Sequence, residues 1–320
     1  MRVLVVTNPR ATATSARERD VLAHALASVA ELEVVETANR GHAAALACRA
    51  MRNGTDVVVA LGGDGTVNEV INGLLTDGVH ADVPALGVVP AGSTNVFARA
   101  LQIPTDRIEA TGLLLESLRS GAARSISLGQ ADERWFCFAA GLGFDAAIVH
   151  GVERKRRQGR RSTHVLYTKV GIAEFLRAER RHPMVRVELP DGTVLDQVYF
   201  TIVANADPWT FVGNRPLHPT PDVSFENGLG LYARRRMGTV GMLFGMARMS
   251  GPRPRVGKRG AYLVHDLPAL TVLADEPLPF QVDGDALELR EKVTFRSVPE
   301  AIRVVGVPDS TDATPRNVRD

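Results

Sequence analysis

The run Val57-Val58-Val59-Ala60-Leu61-Gly62-Gly63-Asp64-Gly65-Thr66-Val67-Asn68-Glu69-Val70-Ile71 encodes a strand, a turn and a helix within fifteen residues. Val57–Leu61 is continuously apolar, rich in β-branched side chains and bounded by glycine, so it predicts a strand buried on both faces. Val67, Val70, Ile71, Leu74 and Leu75 then recur at helical spacing. The turn between them, Gly62–Thr66, has its own physical logic. Glycines let the backbone come close to a phosphate. The helix that follows aims its N–H groups and dipole at an anion. Thr66 caps that helix or binds phosphate. Asp64 is the odd member: a carboxylate beside a phosphate is repulsive unless a cation lies between them, or unless it takes a proton from an attacking hydroxyl. The plain alternative is a strand-to-helix turn with a threonine cap.

On both sides the alternation continues. Val3–Val6 is a short apolar run ended by Thr7-Asn8-Pro9; Ser15–Ala30 has helical spacing, Glu33–Thr37 reads as a strand and His42–Arg52 as a helix. Leu86–Val89 is another strand, followed by Pro90-Ala91-Gly92-Ser93-Thr94-Asn95 and helices over Val96–Leu101 and Ile108–Ser120. Such alternation predicts a mainly parallel, Rossmann-like sheet with helices on its faces. Past Ser125 the rhythm changes. Trp135–Ala139, Met184–Leu189, Val198–Ala204, Gly228–Ala233, Tyr262–His265, Ala269–Ala274, Phe280–Val282, Ala286–Leu289 and Val293–Ser297 read as strands between Pro, Gly and Asp turns. Helical patterns return only near Ser162–Arg180 and Thr239–Met249. The expectation is an α/β N-terminal domain, residues 1–128, and a β-rich, sandwich-like second domain, residues 129–297. Ala301–Val307 has strand character, and the tail Pro308–Asp320 is polar.

The 320 residues, 45% hydrophobic and 23% charged, suffice for two cores. A net charge of +2 offers no field for nucleic acid. With 34 Arg against 4 Lys, arginine usage looks like coding bias, and a single Arg carries little functional weight. Cys48 and Cys137 lack partners at ligand or redox spacing, which predicts buried thiols in a reducing compartment. No run approaches the ~18 apolar residues of a membrane span, and Met1–Val6 is too short for a signal peptide; the expected location is cytoplasmic. Other signatures fail. Gly63-x-Gly65-x-x-Asn68 lacks the third glycine of the dinucleotide fingerprint, no GxxxxGK[ST] occurs, and the scattered histidines argue against zinc.

Thr7-Asn8-Pro9, Gly62–Thr66 and Pro90–Asn95 each follow a strand, and in an open parallel sheet such turns converge at the ligand-binding rim. Gly92, Ser93, Thr94 and Asn95 repeat the device of a glycine and hydroxyls at a helix start, with simple N-capping as the alternative. Together these three turns resemble the diacylglycerol kinase catalytic domain, a family that includes bacterial diacylglycerol kinases and sphingosine kinases and is distantly similar to NAD kinases and phosphofructokinases. Phe138-Ala139-Ala140-Gly141-Leu142-Gly143-Phe144-Asp145-Ala146 is similar to the motif that opens that family's second domain, and Val282-Asp283-Gly284-Asp285 falls where members carry Asp-Gly-Glu.

The resemblance implies an ATP-dependent lipid kinase that transfers the γ-phosphate to a lipid hydroxyl, diacylglycerol-like or sphingoid-like. It implies a cleft between the domains and a final segment, residues 298–320, returning to the first domain. Asn8, Pro9, Gly62–Thr66 and Gly92–Asn95 would hold ATP, Asp64 would work with Mg2+, Asp285 would be the general base, and Asp145 would order the metal–water network or bind the acceptor head group. Two departures stand out. Val96 replaces an Asp that many members carry, and Phe225-Glu226-Asn227-Gly228 lacks the acids of an accessory Mg2+ site. A non-catalytic lipid or nucleotide binder, and a kinase of a non-lipid hydroxyl such as NAD, are the competing readings. Arg154–Arg157 with Arg160-Arg161, and the Met-rich Met237–Met249 flanked by Arg234-Arg235-Arg236 and by Arg253, Arg255, Lys258 and Arg259, suggest peripheral contact with the inner face of a membrane. Their alternatives are a solvated loop and a core helix. A homodimer is compatible with the sequence, which fixes no oligomeric state.

Overall fold

The computed structural model describes residues 1–9, 16–158, 184–250 and 260–307, with isolated residues between 166 and 174. They form two compact units: Met1–Ser125 with the chain from Ile302 onward, and Ile126–Ala301. Most of the helical pattern at Ser162–Arg180, Arg160-Arg161, the four basic residues between 253 and 259 and the tail from Pro308 lie outside the described residues.

In the first unit, β1 (Arg2–Thr7), β2 (Glu31–Glu36), β3 (Val57–Gly62) and β4 (Ala85–Pro90) run parallel in the order β2-β1-β3-β4. The end of the last strand, β18 (Arg290–Val305), adds beside β4 in parallel, Val304 opposite Leu86 and Val305 opposite Gly87. β3 and β4 are buried along their whole length, as unbroken apolar runs demand. Helices α1 (Ala16–Ala27), α2 (His42–Arg52), α3 (Asp64–Leu74), α4 (Val96–Ala100) and α5 (Arg107–Ser120) follow the strands. Leu22, Leu26, Leu114 and Leu118 close one side of the sheet over Val3, Val5, Val57 and Val59. On α3, a side chain at Gly73 would collide with the Ala44 carbonyl, so glycine there lets α2 pack directly on α3. Glu69 tightens that pairing. Its carboxylate accepts the N–H groups of Gly41 (2.9 Å) and Ala43 (3.2 Å), capping α2, whose own N-cap glycine has no side chain to do so.

The second unit is antiparallel. One sheet has the order β14 (Ala261–Leu267), β13 (Leu229–Arg234), β10 (Phe200–Ala204), β7 (Ala139–Gly143), β16 (Phe280–Val282), β17 (Asp285–Ala286). The other pairs β15 (Ala269–Leu278) with the first part of β18 and with β8 (Val185–Glu188), which pairs β9 (Val194–Val198); β5 (Arg124–Ala131) and β6 (Arg134–Phe136) join it. A core of Phe136, Val187, Val272, Val293 and Phe295 from one sheet and Leu142, Val203, Leu231 and Val282 from the other makes the sandwich. A small hairpin, β11 (Thr210–Val212) and β12 (Arg215–Leu217), and two helices, α6 (Phe144–Arg157) and α7 (Thr239–Met249), complete it.

The structure departs from the sequence expectation in several places: β5, β9, β11 and β12 were not expected, and the expected strand Trp135–Ala139 is divided between β6 and β7. Helix α6 replaces an expected loop through Arg154–Arg157. Its apolar positions Ala146, Val149 and Val152 are buried, but the charged run that follows breaks the periodic signal. Val293–Ser297 and Ala301–Val307 are one strand, because Glu300 at φ 49° bends the chain after Pro299 without ending the ladder. Ala286–Leu289 shrinks to the two residues of β17.

Candidate functional site

The three turns of the first unit meet through their backbones. Gly63 follows β3 and is the N-cap of α3, with no side-chain cap. A Cβ on Gly63 would lie 3.1 Å from the Gly92 Cα, and one on Gly92 would lie 2.6 Å from the Gly63 Cα, so both loops need glycine to pass each other. The Ala91 N–H donates to the Gly62 carbonyl at 2.8 Å, continuing the β3–β4 ladder into the loops. Asn95 closes the second turn on itself. Its Oδ1 accepts the Gly92 N–H and its Nδ2 donates to the Gly92 carbonyl, both at 2.9 Å, while its own backbone is left-handed at φ 50°. Ser93 is exposed and Thr94 half-buried.

Asn8 reaches the same place from β1, its Nδ2 3.5 Å from the Thr66 Oγ1, and its N–H donates to the Leu61 carbonyl. Pro9 is exposed beside it. Thr66 is buried, packed against Gly62, where a Cβ would stand 2.5 Å from its Oγ1. Gly65 is the exception among these glycines. It is exposed, and a Cβ there would meet nothing within 4 Å. It sits in the first turn of α3, at the positive end of the helix dipole, just before Thr66 and Val67, whose N–H groups donate to the Gly63 carbonyl at 2.9 and 3.2 Å. The backbone at Gly65 is thus exposed at the positive end of α3.

Asp64 has a partner the sequence did not announce. Its Oδ2 accepts the Val96 N–H at 3.0 Å and its Oδ1 the Phe97 N–H at 3.1 Å, so one carboxylate ties the start of α3 to the start of the short helix α4. Val96, where many family members would carry an acid, is buried at 3% exposure. Among the described residues no group of three or more His, Cys, Asp or Glu is arranged to hold a metal. The segment Phe225–Gly228 is fastened instead by the Gly228 N–H donating to Asp266 Oδ1 at 2.8 Å, and Glu226 is exposed.

In the second unit the carboxylates divide sharply. Asp283 is buried, at φ 48°, in the two-residue turn Asp283-Gly284 between β16 and β17. Its Oδ2 accepts the Cys137 N–H at 2.7 Å, and its Oδ1 those of Phe138 and Ala139 at 3.0 and 3.1 Å. Asp285 follows on β17, opposite Val282 and half-exposed. Asp145, in the first turn of α6, is 6% exposed, and burial pushes its carboxyl up to about 7, with the Gln281 hydrogen bond pulling the other way. Gln281 donates from Nε2 to Asp145 Oδ2 and accepts the Gly284 N–H on Oε1, both at 2.9 Å, linking Asp145 to the turn that carries Asp285. Gly141 makes room for this: a Cβ there would lie 2.8 Å from Asp145 Oδ2. Sequence reasoning missed Gln281 and the anchoring role of Asp283. A polar residue inside the apolar run Phe280–Val282 was the available signal for Gln281.

A parallel sheet with helices on its faces, whose glycine turns meet at the start of α3, defines an α/β protein of the doubly wound class. The comparisons narrow the class. Residues 2–131 match the family model described as "Diacylglycerol kinase catalytic domain". Similar curated proteins include "Diacylglycerol kinase" of Bacillus subtilis (strain 168), 41% identical over 100 residues, and that of Staphylococcus saprophyticus, 36% identical over 113 residues. The matched stretch spans 31% and 35% of those relatives, about a third of their length, and the same shares of this chain. A solved structure of a diacylglycerol kinase from Bacillus anthracis str. Sterne is 18% identical, covers 95% of this chain and 96% of its own, and superposes with a TM-score of 0.71. A second solved chain from that organism gives 19% and 0.74. At that identity the structures support the fold.

Proposed function

We propose that the protein is a lipid kinase that moves the γ-phosphate of ATP to a lipid hydroxyl, on a diacylglycerol-like or sphingoid-like acceptor. The observation that carries this reading is the pair of turns Gly62–Thr66 and Gly92–Asn95, packed Cα against Cα beside the exposed Gly65 at the start of α3. Phosphoryl transfer asks for positioning and charge neutralisation more than for covalent chemistry. The exposed backbone of Gly65 at the start of α3 receives the triphosphate, and the hydroxyl of Ser93, with Asn8 and Pro9 at the third turn, borders it. Asp285 takes the proton from the acceptor hydroxyl, and Asp145, held by Gln281, positions the acceptor head group. The acceptor belongs to a membrane, so the protein works at a bilayer surface.

The donor set fits a Mg2+ that arrives with the nucleotide. Such ions take one or two carboxylates plus phosphate oxygens, and Asp64 is the carboxylate that stands at the start of α3 beside these turns. Bound there, Mg2+ would offset phosphate charge. The tie from Asp64 to Val96 and Phe97 also favours a second reading, in which the fold binds nucleotide or lipid without turnover. Incubation with γ-labelled ATP, Mg2+ and a total lipid extract separates them. Transfer of label into a lipid product supports the kinase; ATP binding with no label in any lipid supports the binder.

A further inference from the structure

Helix α7 buries Met249 but leaves other apolar side chains exposed. Its outward positions are Val240 (81% exposed), Phe244 (61%) and Met246 (46%), whereas Gly241 and Gly245 face inward. Under those glycines lies a charge. The Arg234 guanidinium is 93% buried (7% exposed), and a Cβ on Gly241 or Gly245 would come within 3.3 Å of its Nη atoms. It donates from Nε to the Arg236 carbonyl at 2.8 Å and from Nη1 to the Tyr232 hydroxyl at 3.1 Å, and no carboxylate pairs with it among the described residues. A helix that meets water is expected to turn its apolar stripe inward and its polar face outward. Here Val240, Phe244 and Met246 remain exposed, and the rim is cationic. Arg236 is exposed, and the Arg248 guanidinium lies 5.1 Å from the centre of the Phe244 ring. From Asn227 to His265 the sequence holds eight Arg and Lys and no Asp or Glu.

We propose that α7 is an interfacial helix that lies in the surface of an anionic phospholipid bilayer, with Val240, Phe244 and Met246 among the acyl chains and Arg236 and Arg248 at the phosphates. Charge selects this occupant over a second copy of the chain. A symmetric pair would set the same cationic segment, which has no acid between Asn227 and His265, against itself. The helix, eleven residues long, is too short to span, so it lies on the membrane. Arg234 is a positioning residue: seated against the two glycines and bonded to the Arg236 carbonyl, it holds the helix with Val240, Phe244 and Met246 outward. The proposal rests on the lipid-kinase reading for its purpose and identifies the element that meets the lipid surface. It is tested without turnover.

The experiment is co-sedimentation of the full chain with phosphatidylcholine vesicles and with vesicles of phosphatidylcholine and phosphatidylglycerol in equal parts, in the absence of ATP. Wild type should pellet at least about tenfold better with the anionic vesicles. Val240→Asp with Phe244→Asp should lose at least about tenfold in binding, as should Arg236→Glu with Arg248→Glu, while thermal melting stays unchanged. Unaltered pelleting by the aspartate pair overturns the proposal. So does a wild-type dimer, by light scattering, that Phe244→Asp dissociates. Label transfer to detergent-dispersed lipid by a chain that never pellets would overturn the helix proposal and leave the kinase standing; pelleting without label transfer would do the reverse.

Discussion

Asp283 gives both carboxylate oxygens to the N–H groups of Cys137, Phe138 and Ala139, whereas Asp285, two residues on, stands half-exposed beyond the turn. Their substitutions should therefore separate. Asp283→Ala leaves three buried donors without an acceptor and should cost about 3 kcal/mol or more of stability, read by denaturant unfolding. Asp285→Ala should leave unfolding almost unchanged and lower kcat by about 10²-fold or more, the scale of a general base; an unchanged kcat would remove Asp285 from the chemistry. Asp64 should show both effects. Asp64→Ala should abolish turnover and lower stability by about 1–3 kcal/mol, because the Val96 and Phe97 N–H groups lose their acceptor. Asp145 makes a prediction in pH. Burial raises its carboxyl from the usual 3.8 to about 7, so the folded state holds the proton more tightly than the unfolded chain. The stability this protonated group allows is complete below 3.8 and is lost as pH rises through about 7. Asp145→Asn should flatten that decline; parallel stability–pH curves for the two proteins would show that Asp145 does not titrate there.

At the scale of elements, the glycine turns were legible and their fastenings were not. Gly62–Thr66 and Gly92–Asn95 announced themselves as strand-to-helix turns because glycine, hydroxyls and flanking apolar runs are local signals. That Gly63 and Gly92 touch, that Asp64 caps α4 and that Glu69 caps α2 are long-range facts, with partners 26 to 33 residues apart. No local pattern encodes such pairings. Helix α6 was hidden for another reason: its buried face has only Ala146, Val149 and Val152 before the basic run dilutes it. Gly92→Ala should lower stability by about 1–3 kcal/mol, measured by urea unfolding, because its methyl meets the Gly63 backbone with no side chain able to yield.

For the whole molecule, the change of rhythm past Ser125 foretold a parallel α/β layer followed by an antiparallel sandwich, and both are present. The strand Arg290–Val305 was harder to read, since its first part pairs antiparallel with β15 and its end pairs parallel with β4 in the same sheet. The helix Thr239–Met249 was visible only as an apolar, Met-rich stretch, because sequence periodicity gives a stripe and not the side to which it faces. The central claim is that the exposed backbone at Gly65 receives the phosphates of ATP. A methyl there touches nothing in the protein, and alanine is the better helix former, by roughly 0.5–1 kcal/mol. Titration of Mg-ATP into wild type and Gly65→Ala, with thermal melting of each, is the direct measurement. The account predicts saturable binding by wild type and at least about tenfold weaker binding by the variant, a loss of ~1.4 kcal/mol, with melting unchanged or raised. Equal affinity of the two proteins, or no binding by wild type, would contradict it.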